Sequence, residues 1–510
     1  MYALAHAVAV VGVRGQVVAV EAHVGRGLPA LLLTGLPGAA VQDARERVRP
    51  AVENAGFEWP LRRVTVNLSP ADLRKEGPGF DLPLAVAVLA ATGQVNGDRL
   101  TRYALSGELS LRGALLPTPG ILAVASAAAR AGLAGVVVPE ANAVEAGLVE
   151  GIEVVGAPSL SRAVAFLRGS WSPRPVPAPT EPEAAAPAVD FAEVRGQGQA
   201  RRALEIAAAG GHNLLMVGPP GAGKTMLARR LPTILPAMTR EEALEVTLLH
   251  SVAGLLGPGR SLVPSRPFRA PHHSTSASGL LGGGSTLIRP GEVSLASRGV
   301  LFLDEVNEFR RDVLEGLRQP LEDGRVVIVR AAGAVEFPAW FTLVAAANPC
   351  PCGFDGDPRR QCRCLPHRLE LYRQRLSGPL LDRIDIRLRV PRLSRTELLG
   401  SQGGEQSADI RERVEAARER QRARLGAPRC NADISGAEAR RTAMLSTDGE
   451  RVLGRAVERY GLTGRGFDRA LKVARTIADL EAAIRIEAPH LVEALAFRGQ
   501  NELPGETGVA

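Results

Sequence analysis

Lysine is almost missing from this chain: among 62 basic residues only Lys75, Lys224 and Lys472 are lysine, and the rest are arginine. Where arginine fills nearly every cationic role, a retained lysine marks a position that needs a compact point charge rather than a planar fork. Long apolar runs are missing as well. None reaches the roughly 18 residues that a membrane span requires, and no basic stretch precedes a hydrophobic segment and cleavage site at the N-terminus, so a soluble, cytosolic protein without membrane partners is expected. Charge of one sign does not dominate. The net charge of +8 and the isoelectric point near 9.7 admit a polyanionic partner without requiring one. Cysteine is scarce, with five residues in 510, and a cytosolic chain does not keep disulfides.

What is present is concentrated chemistry. The apolar run Leu214–Val217 reads as a buried strand, and Gly218-Pro219-Pro220-Gly221-Ala222-Gly223-Lys224-Thr225 follows it directly. A strand, a glycine-rich turn and a helix start in this order cradle nucleotide phosphates: backbone N–H groups approach the oxygens, Lys224 reaches the β- and γ-phosphates, and the Thr225 hydroxyl ligands Mg²⁺. A second strand, from Gly299 to Leu303, ends in Asp304 and Glu305, about 80 residues past Lys224. Hydrolysis of the nucleotide needs such a pair, with Asp304 holding the Mg²⁺ shell and Glu305 activating water. A third strand, from Phe341 to Ala347, ends at Asn348, whose amide is positioned to orient that water.

These motifs in this order resemble AAA+ ATPases. Pro267-Phe268-Arg269-Ala270-Pro271-His272-His273-Ser274 and Ser377-Gly378-Pro379-Leu380-Leu381-Asp382-Arg383-Ile384-Asp385 resemble their magnesium-chelatase-like branch. The resemblance implies ATP and Mg²⁺ as cofactors and a parallel-sheet core. It makes Asn348 sensor 1, Arg383 the arginine finger that reaches a neighbouring subunit's ATP, and Arg465, in Thr463-Gly464-Arg465-Gly466-Phe467-Asp468-Arg469, sensor 2. Arg469, one helical turn further on the same face, is the rival for that last role.

The chain is too long for one core and divides into an N-terminal α+β domain (1–170), a proline-rich linker (171–189), the α/β ATPase core (190–395), a helical lid (396–500) and a flexible tail (501–510). In the first segment, Ser106-Gly107-Glu108-Leu109-Ser110-Leu111-Arg112-Gly113-Ala114-Leu115-Leu116-Pro117 is similar to the proteolytic domain of Lon, which has a ribosomal-S5-like fold and a Ser-Lys dyad. Gly79 stands at the nucleophile's position and Leu122 at the lysine's, so the fold is implied and the peptidase chemistry is not. Asp81 is read as a loop or capping carboxylate. The whole arrangement resembles the ComM/YifB group of bacterial proteins. That implies a DNA-dependent ATPase, assembled as a hexameric ring, that promotes branch migration of recombination intermediates during natural transformation on single-stranded or branched DNA. A chelatase motor subunit and a protein remodeller share the same ATPase motifs and stay open.

Three clusters remain. Val326 to Phe337 reads as a hairpin with a glycine turn; in helicase relatives such a hairpin touches DNA, which makes Arg330 the candidate phosphate contact, against a plain surface hairpin. Ile410 to Arg429 holds arginines at 411, 413, 418, 420, 422, 424 and 429; Arg411, Arg418 and Arg422 share one helical face, for phosphate or, preferably, for solvent and salt bridges. Cys350-Pro351-Cys352 and Cys362-Arg363-Cys364 follow Asn348 in a loop rich in Gly and Pro, as four ligands of a structural Zn²⁺ or as reduced thiols. His272 and His273 are adjacent on a loop, an arrangement that rarely serves one metal ion.

Overall fold

Alternating apolar positions in the first 25 residues form two long antiparallel strands, β1 (Tyr2–Val11) and β2 (Arg14–Gly25), with Val18, Val20, Ala22 and Val24 all turned inward. A computed structural model describes residues 1–177 and 189–499, apart from residues 96, 258, 260, 261, 285, 286, 331, 332, 358, 395, 396, 398–402, 427 and 428. Most of the expected proline-rich linker, and the expected tail, lie outside the described residues. The first sheet adds β3 (Ala30–Thr34), β4 (Arg63–Ser69), β5 (Tyr103–Leu105), β8 (Gly135–Pro139) and β9 (Glu153–Ala157), while β6 (Glu108–Leu109) and β7 (Leu115–Leu116) form a separate small hairpin. Its order is β3-β4-β2-β1-β5-β8-β9. Helices α1 (Ala39–Asn54), α2 (Asp81–Ala91) and α4 (Leu160–Leu167) pack into one core cluster, and α3 (Ile121–Arg130) packs into another with Val8, Ala104, Val136 and Val138.

The second sheet is built from runs that are apolar on both faces, as a covered parallel sheet requires. After α5 (Gly198–Gly210) come β10 (Leu214–Val217), α6 (Lys224–Ile234), α7 (Arg240–Ala253), β11 (Phe268–Arg269), the short pair β12 (Gly282–Gly283) and β13 (Arg289–Pro290), and β14 (Val300–Leu303). The hairpin β15 (Arg325–Arg330) and β16 (Gly333–Pro338), then β17 (Thr342–Ala347) and β18 (Ile386–Arg389), complete the core. The order is β11-β14-β17-β10-β18 with every pairing parallel, so the carboxyl ends of all five strands share one edge, where open α/β sheets bind ligands. The hairpin forms as expected, with Gly333, at φ +131°, opposite Arg330 as the first residue of β16; residues 331 and 332 between them lie outside the described residues.

The C-terminal part is helical, with α8 (Ser407–Leu425), α9 (Gly436–Thr442), α10 (Thr447–Tyr460), α11 (Gly464–Leu480) and α12 (Ala488–Gly499). On the arginine face of α8, Arg422 is exposed and paired with Glu419 as expected, but Arg411 and Arg418 are turned onto backbone carbonyls. Arg411 donates to the carbonyl of Thr233 at 2.9 Å and Arg418 to that of Ala208 at 2.7 Å, capping the last turns of α6 and α5, whose terminal carbonyls lack helical partners. Arg413 does form the expected salt bridges, with Glu205 and Glu405. His212 lies between Asp385 (3.3 Å) and Thr476 (2.8 Å), and Arg469 donates to Asp385 at 2.7 Å, which ties α11 to the core sheet.

Among the described residues, the N-terminal domain meets the parallel-sheet core at two places. Leu122 and Leu148 pack with Ala243 of α7 and Leu262, and beside them the buried Glu145 accepts from the Leu122 N–H and the Ser251 hydroxyl. Burial pushes this carboxyl above its usual range. At the second, the β1–β2 turn rests on the hairpin, so close that a Cβ on Gly12 would lie 2.8 Å from Val335. Among the described residues no helix is long and apolar enough to cross a membrane.

Candidate functional site

Three strands deliver the site to one edge. From β10 the backbone turns through Gly221 and Gly223, both at positive φ, and α6 begins at Lys224. Gly218 is required for packing, because a Cβ there would lie 2.2 Å from the Val390 carbonyl. Lys224 points back into the loop and donates to the carbonyls of Gly218 (2.6 Å) and Pro219 (3.1 Å) and to Asn348 Oδ1 (3.2 Å). Burial draws its ammonium below the usual lysine range, against the opposing pull of Asp304 and Glu305. Thr225 donates to Asp304 Oδ2 at 2.7 Å. A hydroxyl and a carboxylate oxygen in contact, with no nitrogen or sulfur donor between them, suit Mg²⁺, which takes oxygen ligands and keeps several waters. Glu305 has a left-handed backbone, φ 49°, and is exposed. Gly221, Ala222, Gly223, Pro220, Asp304 and Asn348 are among the walls of a 420 Å³ cavity at this edge.

His273 is a residue whose role the sequence did not reveal. Its Nδ1 lies 3.9 Å from Glu305 Oε2, because β11 is the neighbour of β14 in the sheet and its outgoing loop ends beside the Glu305 turn. That strand order was the signal available for finding it.

Arg383 and Arg465 are not in this cavity. Residue 383 precedes β18, which runs parallel to β10 with Leu214 opposite Ile386 and Val217 opposite Arg389. Arg383 therefore sits at the amino ends of the strands, about 13 Å along a four-residue strand from the edge that holds the phosphate loop. It donates to the Pro379 carbonyl at 2.8 Å and pairs with Glu322, while its buried Nε has no partner. Arg465, exposed in the first turn of α11, lines the same 520 Å³ cavity as Arg383 and Glu322. The Glu322 carboxyl is held below its usual range first by the Arg383 hydrogen bond, with the charge of Arg465 adding to it. Arg469, the rival, is engaged by Asp385.

The four cysteines converge. Their sulfurs all lie within 4.8 Å of one another, with Cys350–Cys352 at 3.3 Å and Cys362 at 3.7 Å from each of them, and all are free thiols. Burial raises the Cys352 thiol, but the backbone N–H groups of Arg363 and Phe354 overcome this and draw it down to about 6, the thiolate form that binds metal. Among the described residues this is the group of three or more ligating side chains close enough to share an ion; His272 and His273 do not join one.

Arg330 is exposed at the end of β15 and makes no ion pair among the described residues. In the N-terminal domain, Asp81 is a buried structural carboxylate that takes both arms of Arg47 at 3.0 Å and the Leu109 N–H. Gly79 is pressed against Ser106, whose Oγ would lie 2.7 Å from a Cβ.

Family models match most of the chain: magnesium chelatase, subunit ChlI, over residues 190–398, subunit ChlI of Mg-chelatase over 20–142, and the ChlI C-terminal region over 404–498. The chain is 43% identical over 506 residues to the uncharacterised protein YifB of Salmonella typhimurium, covering 98% of each. It is 43% identical over 512 residues to the competence protein ComM of Haemophilus influenzae, again covering 98% of each. A Lon protease of Chloroflexus aurantiacus is 31% identical over 141 residues, 26% of this chain and 17% of that protein.

Proposed function

Because the chain belongs to the magnesium-chelatase-like AAA+ ATPase family that includes YifB and ComM, we propose that it works as a hexameric, ATP-driven DNA motor in the cytoplasm, promoting branch migration during natural transformation. One observation carries the oligomeric part: Arg383 and Arg465 stand at the opposite ends of the strands from their own phosphate loop, so they can complete a nucleotide site only on a neighbouring subunit. A closed ring satisfies such a head-to-tail contact for every copy. Competence is what the ComM relative is named for, and an exposed Arg330 with no ion pair among the described residues suits a phosphate backbone.

The chemistry follows from the cradle. Lys224 exchanges its carbonyl acceptors for the β- and γ-phosphate oxygens, and the loop N–H groups hold the remaining charge. Thr225 and Asp304 would hold a Mg²⁺ ion, which would supply charge neutralisation at those oxygens. Glu305 accepts a proton from water as the water oxygen bonds to the γ-phosphorus and the bond to ADP breaks, while Asn348 orients the water. Arg383 of the adjacent subunit stabilises the charge on the transferring group, and Arg465 supports it. The thiol cluster takes a structural Zn²⁺, since four sulfurs match the ligand set of closed tetrahedral sites. The N-terminal domain organises the ring rather than cleaving peptides, because neither Gly79 nor Leu122 offers a nucleophile or base.

The test compares ATP turnover with and without single-stranded and four-way-junction DNA, and follows branch-point movement. Wild type should be stimulated by DNA and move the junction, whereas Glu305→Gln should not move it. Equal turnover with every DNA and no junction movement would reject the motor and favour a chelatase-type motor subunit.

A further inference from the structure

The thiol cluster is built against the nucleotide cradle. Cys350 follows Asn348 by two residues, and Asn348 holds Lys224. Gly353, at φ +83°, lies flush on Pro220 of the phosphate loop, where a Cβ would come 2.5 Å from Pro220 Cδ. The same loop is tied down at its far side by Asp355 to Arg373 (2.9 Å) and by Asp357 to Arg392 beyond β18 (3.2 Å). Between Cys350 and Cys364 it contains no helix or strand of its own among the described residues, only short turns such as Gly353 N–H to the Cys350 carbonyl at 2.9 Å and Asp357 N–H to the Phe354 carbonyl at 3.1 Å. Four sulfurs at 3.3–3.7 Å where measured approach the edge of a tetrahedron with Zn–S bonds of about 2.3 Å, which is roughly 3.8 Å.

We propose that the metal-loaded four-cysteine loop is a clamp on the ATP site, fixing Asn348 on one wall of the cradle and pressing Gly353 onto Pro220 on the other, so that nucleotide affinity depends on the metal. The inference rests on the zinc reading above. Cys350, Cys352, Cys362 and Cys364 are the ligands, and Gly353 is a positioning residue that never touches nucleotide. Without the ion, nothing joins the four sulfurs, the loop leaves Pro220, and Lys224 loses the amide that aims it.

The experiment uses the full-length protein without DNA, so that the motor reading is not at stake. Elemental analysis should find about one zinc per chain. Extraction with a chelator should weaken binding of a fluorescent ATP analogue by about tenfold or more, with helical circular dichroism retained, and added Zn²⁺ should restore it. Gly353→Ala should keep its zinc yet weaken binding by a similar factor, because the added methyl group forces the loop off Pro220 at a backbone angle unfavourable for alanine. Wild type purified without zinc would overturn the zinc reading and the clamp together. Zinc present, with affinity unchanged after extraction and in Gly353→Ala, would overturn the clamp alone. Loss of the whole helical signal on extraction would also overturn the clamp, by making the ion a support of the entire fold.

Discussion

Removing Arg383 should separate catalysis from stability. Within its own chain the guanidinium contacts the Pro379 carbonyl and Glu322, a carboxylate that is 57% exposed. A pair this open contributes about 0–1 kcal/mol, and with the packed stem of the arginine the total loss on Arg383→Ala should be about 1–2 kcal/mol. For a core of this size that lowers Tm by about 2–8 °C. A trans-acting arginine, by contrast, is worth about 10³–10⁵ in kcat, or about 4–7 kcal/mol. Arg383→Ala should thus fold, bind ATP and assemble, yet turn over at no more than about a thousandth of the wild-type rate. Mixing it with Glu305→Gln restores interfaces that pair an intact Glu305 with an intact Arg383. In randomly mixed head-to-tail rings, about a quarter of interfaces do so at equal proportions, setting a maximum of about a quarter of wild-type turnover there. Thermal melting, native mass spectrometry of the mixtures and steady-state ATPase rates provide the three readings. If mixed rings form and no ratio recovers activity, or if rate and stability fall in proportion, Arg383 does not act across the interface.

Lys224→Ala should abolish ATP binding, whereas Glu305→Gln should retain binding and lose turnover; equilibrium binding with labelled ATP beside a phosphate-release assay separates the two, and normal hydrolysis by Glu305→Gln would refute its role. Asp385→Ala leaves His212 and Arg469 uncompensated in the core and should cost about 3–5 kcal/mol, read by urea unfolding. Burial alone would raise the Asp385 carboxyl, but the His212 hydrogen bond and the charge of Arg469 hold it well below its usual range. Its stabilisation is therefore complete above the unfolded pKa of about 3.9 and disappears as pH falls through the lower folded value, so the variant should show a shallower acid limb than wild type. Arg330→Ala should reduce DNA stimulation and flatten the salt dependence of DNA binding while leaving DNA-free turnover nearly intact; unchanged DNA response would exclude the hairpin contact.

The sequence made legible what is local or doubly buried. Leu214–Val217 and Thr342–Ala347 are continuous apolar runs because both faces of their strands are covered, and the polar residues that end them gather because parallel strands share a carboxyl edge. The β15–β16 hairpin was legible too, because two apolar, β-branched runs flank a glycine, and Gly333 opens β16 at φ +131°. Arg411 and Arg418 of α8 could not be read, because their acceptors are 178 and 210 residues away in sequence and a carbonyl leaves no mark on composition. For the same reason the neighbour of Glu305 was hidden: His273 reaches it through the order of strands, which periodicity does not encode. Gly353 carried no signal either, since its demand arises from Pro220.

The seam between Leu122 and α7 limits what position 122 can hold. The two positions that correspond to the Lon dyad by resemblance are both filled by packing. A lysine at 122 would sink an ammonium among Leu148, Ala243 and Leu262, where no counter-charge compensates its desolvation except a Glu145 already engaged by Ser251. A serine at 79 would drive its Cβ into the Ser106 hydroxyl. A lysine at 122 would thus loosen the joint between the two domains, and a serine at 79 would disturb the packing inside the first, so each position is held by its neighbours independently of any chemistry.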